Sequence, residues 1–260
     1  MMKVMTTRRI GGSAGRMALL MTIILLIGEG CASKPASVTL PADAEFERSQ
    51  AYLEARKYNR AIQGFERIIF YHPTSEFVDD AQYWLAQTYT AMKDYAQAIT
   101  EFEYLIKNFP ASQFLEDAYY FRAVAYLKKA PGPDRDQTET ADAIGYLDEF
   151  LTRFPNSSRT NDVRDLILEA RNRLAKKELD NAKLYLKLKE PKAAELYFTL
   201  YVIEAYPETP AALEAKYHLA GLYARQGKTD EALALYEELQ SSDIWRDRAQ
   251  TQARKLKNKQ

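Results

Sequence analysis

Thiol, imidazole and metal chemistry have three residues to draw on in this 260-residue chain: Cys31, His72 and His218. No HExxH run or ligand cluster surrounds either histidine, so nothing has zinc-ligand spacing. His72 stands just before Pro73, where a helix must end, and reads as a helix-end group beside exposed carbonyls. The acidic pairs Asp79–Asp80 and Glu237–Glu238 are sequence neighbours, which on a helix do not face one another, so neither forms an acid–base pair. The sequence holds no Gly-rich phosphate loop and no GxSxG nucleophile turn. Cys31 has no second cysteine with which to form an internal disulfide. These exclusions point away from an enzyme, a metal or a cofactor. What remains is acylation of one thiol, and binding by aromatic, amide and charged side chains.

A repeated helical hairpin must position those binding groups. Asp80–Pro110 reads at helical spacing as two amphipathic helices joined by a short turn at Met92–Asp94. Leu85, Ala86, Tyr89, Ala98, Phe102, Leu105 and Pro110 fall in the order of the tetratricopeptide pattern, in which small residues let two helices approach and aromatics fill the remaining space. Ser49, Tyr52, Ala61, Phe65, Ile68 and Pro73 each lie 37 residues before Ala86, Tyr89, Ala98, Phe102, Leu105 and Pro110. A third copy has Ala123 and Tyr126 at the same step, then reaches Ala143, Leu147, Phe150 and Pro155 after eight additional residues. The fourth is Ala182, Tyr185, Ala194, Phe198 and Tyr201, with Pro207 one place late; the fifth is Ala220, Tyr223, Ala232, Tyr236 and Leu239.

The expected fold is all-α, an α-solenoid of about five tetratricopeptide-like hairpins, because one hairpin cannot bury its own apolar stripe. Ser75, Ser112, Ser157 and Thr209 suit N-caps of the helices that follow. Asp43, Asp80 and Asp117 fall in first turns, where the helix dipole favours negative charge. Asn161–Glu190 reads as one helix of about thirty residues that fuses a linking helix to the fourth hairpin. The recurring Tyr52, Tyr89, Tyr126, Tyr185 and Tyr223 read as packing residues.

Residues 1–16 hold Lys3, Arg8, Arg9 and Arg16 and no acid, and the apolar run Met17–Ile27 is too short to span a bilayer comfortably. That order describes a cleaved export signal over 1–30. Cys31 comes next, in Leu26-Ile27-Gly28-Glu29-Gly30-Cys31, a run similar to a lipoprotein lipobox except that Gly28 and Glu29 replace the usual Leu and small neutral residue. The reading is lipidation of Cys31, with several acyl chains each contributing ~0.8 kcal/mol per buried CH₂. A soluble exported protein with a free thiol is the alternative. Ala32, by likeness to enterobacterial sorting, favours the outer membrane, and 31–42 forms a short tether. The remaining divisions are repeats 1–3 over 43–158, the long helix with repeats 4–5 over 159–245, and a polar tail over 246–260. Without residues 1–30 the chain keeps 32 basic and 35 acidic groups of the original 36 and 36, which gives no electrostatic case for nucleic acid.

Two features exceed the scaffold. Phe46, Tyr83 and Tyr120 lie 37 residues apart on the first helices, with Gln50 and Gln87 one turn further along and Val124 in the third copy. In tetratricopeptide repeats this position faces the inner surface, so these residues would line a groove whose rings and amides suit an extended peptide. Packing of the same rings against neighbouring helices is the alternative. The second feature is the insertion, Ala130–Thr138, where Pro131 and Pro133 stop the helix and Asp134, Arg135 and Asp136 follow. Insertions of this kind fall on one face and often serve a partner. A tolerated surface loop with Asp136 or Thr138 capping the next helix is the alternative.

Five such repeats, a candidate lipid cysteine and a third-repeat insertion reading Asp134-Arg135-Asp136-Gln137-Thr138 together resemble the BamD family, lipoproteins of the outer-membrane β-barrel assembly machinery. The run Arg173-Leu-Ala-Lys-Lys-Glu178 on the long helix is similar to that family as well. The resemblance covers essentially the whole mature chain. It implies that the N-terminal repeats receive unfolded outer-membrane proteins through the Phe46, Gln50, Tyr83, Gln87 and Tyr120 groove. It also implies that the C-terminal repeats dock on the periplasmic domains of a BamA-like barrel-forming subunit, beside other assembly lipoproteins, with Arg173 as a salt-bridging contact. Simple solvation of a long helix is the alternative for Arg173. A different periplasmic tetratricopeptide adaptor, coordinating cell-wall or envelope machinery, is the competing function; such proteins usually carry a coiled coil, and residues 32–42 offer no heptads. Mass spectrometry of membrane-extracted protein is expected to find Cys31 acylated, and an unmodified thiol would remove the anchor.

Overall fold

The order of small and aromatic residues becomes eleven consecutive α-helices over residues 40–258, the span described by the computed structural model. The export signal, Cys31 and most of the tether lie outside the described residues. Helices α1 (Ala42–Glu54) and α2 (Tyr58–Tyr71) form the first hairpin, α3 (Val78–Ala91) and α4 (Tyr95–Asn108) the second, and α5 (Leu115–Lys129) and α6 (Thr138–Arg153) the third. The long helix α7 (Thr160–Lys187), expected over Asn161–Glu190, pairs with α8 (Pro191–Leu196) and its π-helical continuation Tyr197–Glu204. Helices α9 (Pro210–Arg225) and α10 (Thr229–Glu238) form the fifth hairpin, and α11 (Arg246–Lys257) packs on α10 through Ala249 and Ala253. Each helix packs on the next, the arrangement of an α-solenoid.

Close approach of the helices is what the small residues supply. Ser49, Ala86, Ala123, Ala182 and Ala220 on the first helices are fully buried, as are Ala61, Ala98, Ala143, Ala194 and Ala232 on the second. Phe65, Phe102, Leu147 and Phe198 fill the space beside them, also fully buried, and truncating such a phenylalanine to Ala costs ~3–5 kcal/mol. In the first hairpin the approach at Gly64 leaves no room for a Cβ. A Cβ added at Gly64 would lie 1.9 Å from the Ser49 hydroxyl oxygen.

The hairpin turns share one closure. The carbonyls of Tyr52, Tyr89, Tyr185 and Tyr223 accept hydrogen bonds from the amides of Lys57, Asp94, Glu190 and Lys228 at 2.8, 3.0, 2.9 and 3.0 Å. Just before each of these amides stands a residue of positive φ: Arg56, Lys93, Lys189 and Gly227. This is the left-handed helix end in which a later N–H reaches back to satisfy an orphan carbonyl. In the third hairpin Ala130 is extended instead (φ −57, ψ 134) and leads the chain into the insertion.

Two local expectations are corrected. The hydroxyls of Ser75, Ser112 and Ser157 accept from the amides of Phe77, Phe114 and Arg159 at 3.2, 3.2 and 3.0 Å, before their helices begin at Val78, Leu115 and Thr160. They shape a tight turn after each proline rather than capping the helix, because each hydroxyl is taken up by the amide two residues on, ahead of the first helical residue. Thr209 does cap α9, accepting from Ala212.

The other correction concerns Tyr201, placed by the pattern in the core beside Phe198. Tyr201 is 43% exposed, and Val202 is fully buried there instead. The second helix of the fourth hairpin has one extra residue between Ala194 and Pro207, and the π-helical stretch Tyr197–Glu204 absorbs it. Val202 thereby reaches the layer held by Ile68, Leu105, Phe150 and Leu239, and Pro207 arrives one place late. Deleting Leu200 should convert this stretch to ordinary α-helix, with urea-unfolding stability unchanged or raised. Deleting Tyr104 from the regular helix α4 should instead lose more than ~3 kcal/mol by rotating Leu105 out of the core.

Candidate functional site

Phe46, Tyr83 and Tyr120 stand near the starts of α1, α3 and α5, and each reaches two neighbours. Phe46 lies 5.9 Å from Phe65 of its own hairpin and 5.4 Å from Phe77 at the entry to the next. Tyr83 lies 6.2 Å from Phe102 and stacks on Phe114 at 4.2 Å and 5°. Tyr120 meets Phe150 edge-on at 6.1 Å, and the Arg159 guanidinium lies over its ring at 4.7 Å. Phe77, Phe114 and Arg159 are equivalent positions, so one seam between hairpins uses a cation where two use a ring. Arg159 is also paired with Asp117 at 2.6 Å.

These contacts change the groove. Tyr83 is 6% exposed and belongs to the packing between hairpins, as the alternative reading had it. Phe46 and Tyr120 are half-buried and present only part of each ring. Gln87 donates from Nε2 to the Tyr83 hydroxyl at 2.9 Å and is half-buried, like Gln50 and Val124. The surface left to a ligand on these first helices is two amides flanked by ring edges.

The insertion is organised by a residue that sequence reasoning passed over. Gln137 is buried, donates from Nε2 to the Gly132 carbonyl at 2.7 Å and accepts from the Thr140 hydroxyl at 2.9 Å. Its signal was the one uncharged long side chain, standing just after the charged run Asp134–Asp136. Asp134, Arg135 and Asp136 are left exposed around it. Asp136 accepts from the Thr138 amide at 2.8 Å, and Gln137 rather than Asp136 or Thr138 holds the N-cap position of α6, without a side-chain cap. Hydrogen bonds from Thr138, helped by Lys177 of α7, hold the Asp136 carboxyl below its ordinary range. One turn earlier on α7, Arg173 donates from Nη1 to the Leu127 carbonyl at 3.2 Å and approaches Glu169 at 3.5 Å. Arg173 therefore ties α7 to the end of α5, on the side where Lys177 meets the loop.

Sequence reasoning also missed Arg122. Its side chain is buried between the rings of Tyr146 at 4.1 Å and Tyr119 at 5.0 Å, and it pairs with Glu149 at 2.5 Å. Its Nε is buried with no hydrogen-bond partner among the described residues. A single Arg on an apolar helix face is the only trace such a residue leaves in a sequence. Phe70 and Tyr71, at the end of α2 and out of phase with the repeat, are 76% and 56% exposed and pack on each other at 4.9 Å. Among the described residues no group of three or more His, Cys, Asp or Glu is placed to hold a metal ion, and no helix is long and apolar enough to cross a membrane.

Stacked helical hairpins with an interrupted third, and polar groups gathered along the first helices and the loop, define a repeat scaffold. Residues 39–239 match the family described as YfiO, outer membrane lipoprotein. The chain is 30% identical over 218 residues to the outer membrane protein assembly factor BamD of Rickettsia prowazekii, covering 83% of this chain and 86% of that one. It is 28% identical over 225 residues to the assembly factor BamD of Caulobacter vibrioides, covering 84% and 73%. The chain belongs to the YfiO/BamD family of outer-membrane lipoproteins. Among solved structures, a TPR repeats protein from Bacteroides fragilis superposes with a TM-score of 0.48 at 13% identity, covering 85% of this chain and 100% of that one.

The seam has a pH signature. Burial, with Asp117 adding to it, pushes the Tyr83 hydroxyl up to about 12. A folded value above the unfolded one means that the contribution is complete below about pH 10 and is lost as pH rises through 12. Urea midpoints should fall over that window, with Tyr83→Phe showing a shallower fall than the parent.

Proposed function

We propose that this chain is a lipid-anchored scaffold of the outer-membrane β-barrel assembly machinery, facing the periplasm. It receives unfolded outer-membrane proteins on its first hairpins and docks the barrel-forming subunit through its long helix and later hairpins. The observation that carries this reading is the likeness to outer membrane protein assembly factors over 83% of the chain, on a solenoid whose third hairpin is interrupted by a charged loop.

An unfolded client offers extended backbone, and an amide side chain can both donate to it and accept from it. Gln50 and Gln87, with the exposed edges of Phe46 and Tyr120, supply that chemistry, and Tyr83 holds Gln87 from beneath. In the third hairpin, Asp134, Arg135 and Asp136 are exposed charges on a loop whose shape Gln137 sets, with Lys177 of α7 near Asp136 and Arg173 one turn before it. Rim charges of both signs give orientation and partner choice more than raw affinity. Acylation at Cys31 keeps the solenoid at the membrane where its clients insert.

Two separate losses are expected. The pair Gln50→Ala and Gln87→Ala should weaken binding of an unfolded outer-membrane protein by about tenfold, with helical content unchanged by circular dichroism. Replacing Asp134, Arg135 and Asp136 by Gly and Ser should lower co-purification of the barrel-forming subunit from detergent-solubilised membranes. Recovery of the parent chain without that subunit would defeat the assembly role, as would normal levels of outer-membrane barrels after its depletion.

A further inference from the structure

The second helix of the first hairpin ends in a pair of residues that the other four hairpins lack. Phe70 and Tyr71 stand two and three places beyond Ile68, whose layer Leu105, Phe150, Val202 and Leu239 hold elsewhere. The same two places carry Lys107-Asn108, Thr152-Arg153, Glu204-Ala205 and Ser241-Ser242 in the later hairpins. Those are polar or small residues, as an exposed helix end ordinarily has. Phe70 and Tyr71 are large and mostly exposed, and Phe70 meets Tyr71 edge-on at 4.9 Å. The pair is therefore one apolar knob rather than two scattered side chains.

Position limits what this knob can meet. Helices α1 and α2 run antiparallel, and Arg67 reaches Glu45 across them at 2.5 Å, so the end of α2 lies beside the start of α1. The chain enters α1 through Leu40 and Pro41 at this same foot. Leu40 comes nine residues after Cys31, and at ~3.6 Å per residue the thiol is never more than ~32 Å from Leu40. The feet of the later hairpins stand further along the stack, and those are the ones without aromatic residues.

We propose that Phe70 and Tyr71 insert at the lipid–water interface of the membrane that holds the anchor, as a second contact beside the acyl chains. This rests on the reading that Cys31 is acylated. A ring leaves water at headgroup level, and the Tyr71 hydroxyl keeps hydrogen-bond partners there. Two rings are too little apolar surface to hold a free protein on a bilayer. A tether makes the contact intramolecular, so a weak contact becomes populated without any gain in its own strength.

The surrounding charge selects the lipid. Around this foot the exposed carboxylates of Asp43, Glu47, Glu66 and Glu76 outnumber the one exposed cation, Arg48. Anionic headgroups gain nothing from such a surface, and a zwitterionic phospholipid fits it. The contact restrains the solenoid from swinging about its tether, and it keeps the turn at Arg56 one helix length, ~20 Å, from that foot.

The test uses the mature chain purified from membranes and reconstituted in phosphatidylethanolamine–phosphatidylcholine vesicles, with or without bromine on the acyl chains close to the headgroups. Phe70→Trp keeps an aromatic knob and adds a reporter, and Ser241→Trp puts the same reporter at the equivalent place in the fifth hairpin. Trp84 and Trp245 of the parent chain set the background. The emission gained in Phe70→Trp should fall by about half in brominated vesicles, and should do so equally at high salt. The emission gained in Ser241→Trp should be unchanged. Absent quenching of Phe70→Trp overturns the contact whether or not Cys31 is acylated, and mass spectrometry of the same preparation reports the anchor separately. Quenching with an unmodified Cys31 would keep the contact and remove the anchor. Equal quenching of Ser241→Trp would overturn a contact confined to the first hairpin. A Phe70→Ser, Tyr71→Ser chain with unchanged Tm that loses a co-purifying envelope protein, with quenching absent, would make the knob a protein-docking surface and overturn it also.

Discussion

Two alanine-sized positions, one on each helix of a hairpin, set the distance at which every other side chain must fit. With Ala86 against Ala98, or Ser49 beside Gly64, two backbones approach closely enough that one large ring per hairpin fills what is left. The ring cannot be enclosed by its own hairpin alone, so each hairpin needs the next one. Stacking follows from that shortage of cover, and so does cooperative dependence between neighbours. The recurring tyrosines take part twice: their rings fill space, and their carbonyls close the turns through a left-handed residue that is glycine in only one of four cases.

Polar chemistry is placed where this regularity is interrupted. The third hairpin trades the left-handed turn for an extended Ala130 and a loop wound around Gln137, which leaves Asp134, Arg135 and Asp136 outward. The fourth takes in an extra residue as a π-helical stretch and leaves Leu196, Leu200 and Tyr201 exposed beside it. Among the described residues the fifth is followed by the single helix α11, and a pocket lined from α7, α9, α10 and α11 remains between them.

Much of the fold was readable because the small–aromatic order recurs at a fixed step, and one repeat's reading could be checked against four others. What failed was whatever depended on neighbours in space. Tyr83 looks like Phe46 and Tyr120 in sequence, but Phe114 and Phe121 converge on it and bury it. Tyr201 and Val202 exchange roles through a single added residue, visible in the sequence only as a late Pro207. The serines after each proline have the right type for N-caps and lie one turn too early. The pocket in the last hairpin was out of reach, since its residues come from four helices whose juxtaposition no local pattern encodes.

At the entries to α3 and α5 a phenylalanine covers the preceding ring; at the entry to α7 that cover is Arg159, paired with Asp117 and about one-third exposed. Stacked rings are indifferent to dissolved ions, whereas a partly solvated guanidinium–carboxylate contact is weakened as counterions crowd within the Debye length of about 8 Å at physiological salt. The column thus contains two joints of fixed stiffness and one whose stiffness is set by the surrounding electrolyte. That joint lies between the third hairpin and the long helix α7, so the medium acts on how those two parts of the solenoid are held against each other.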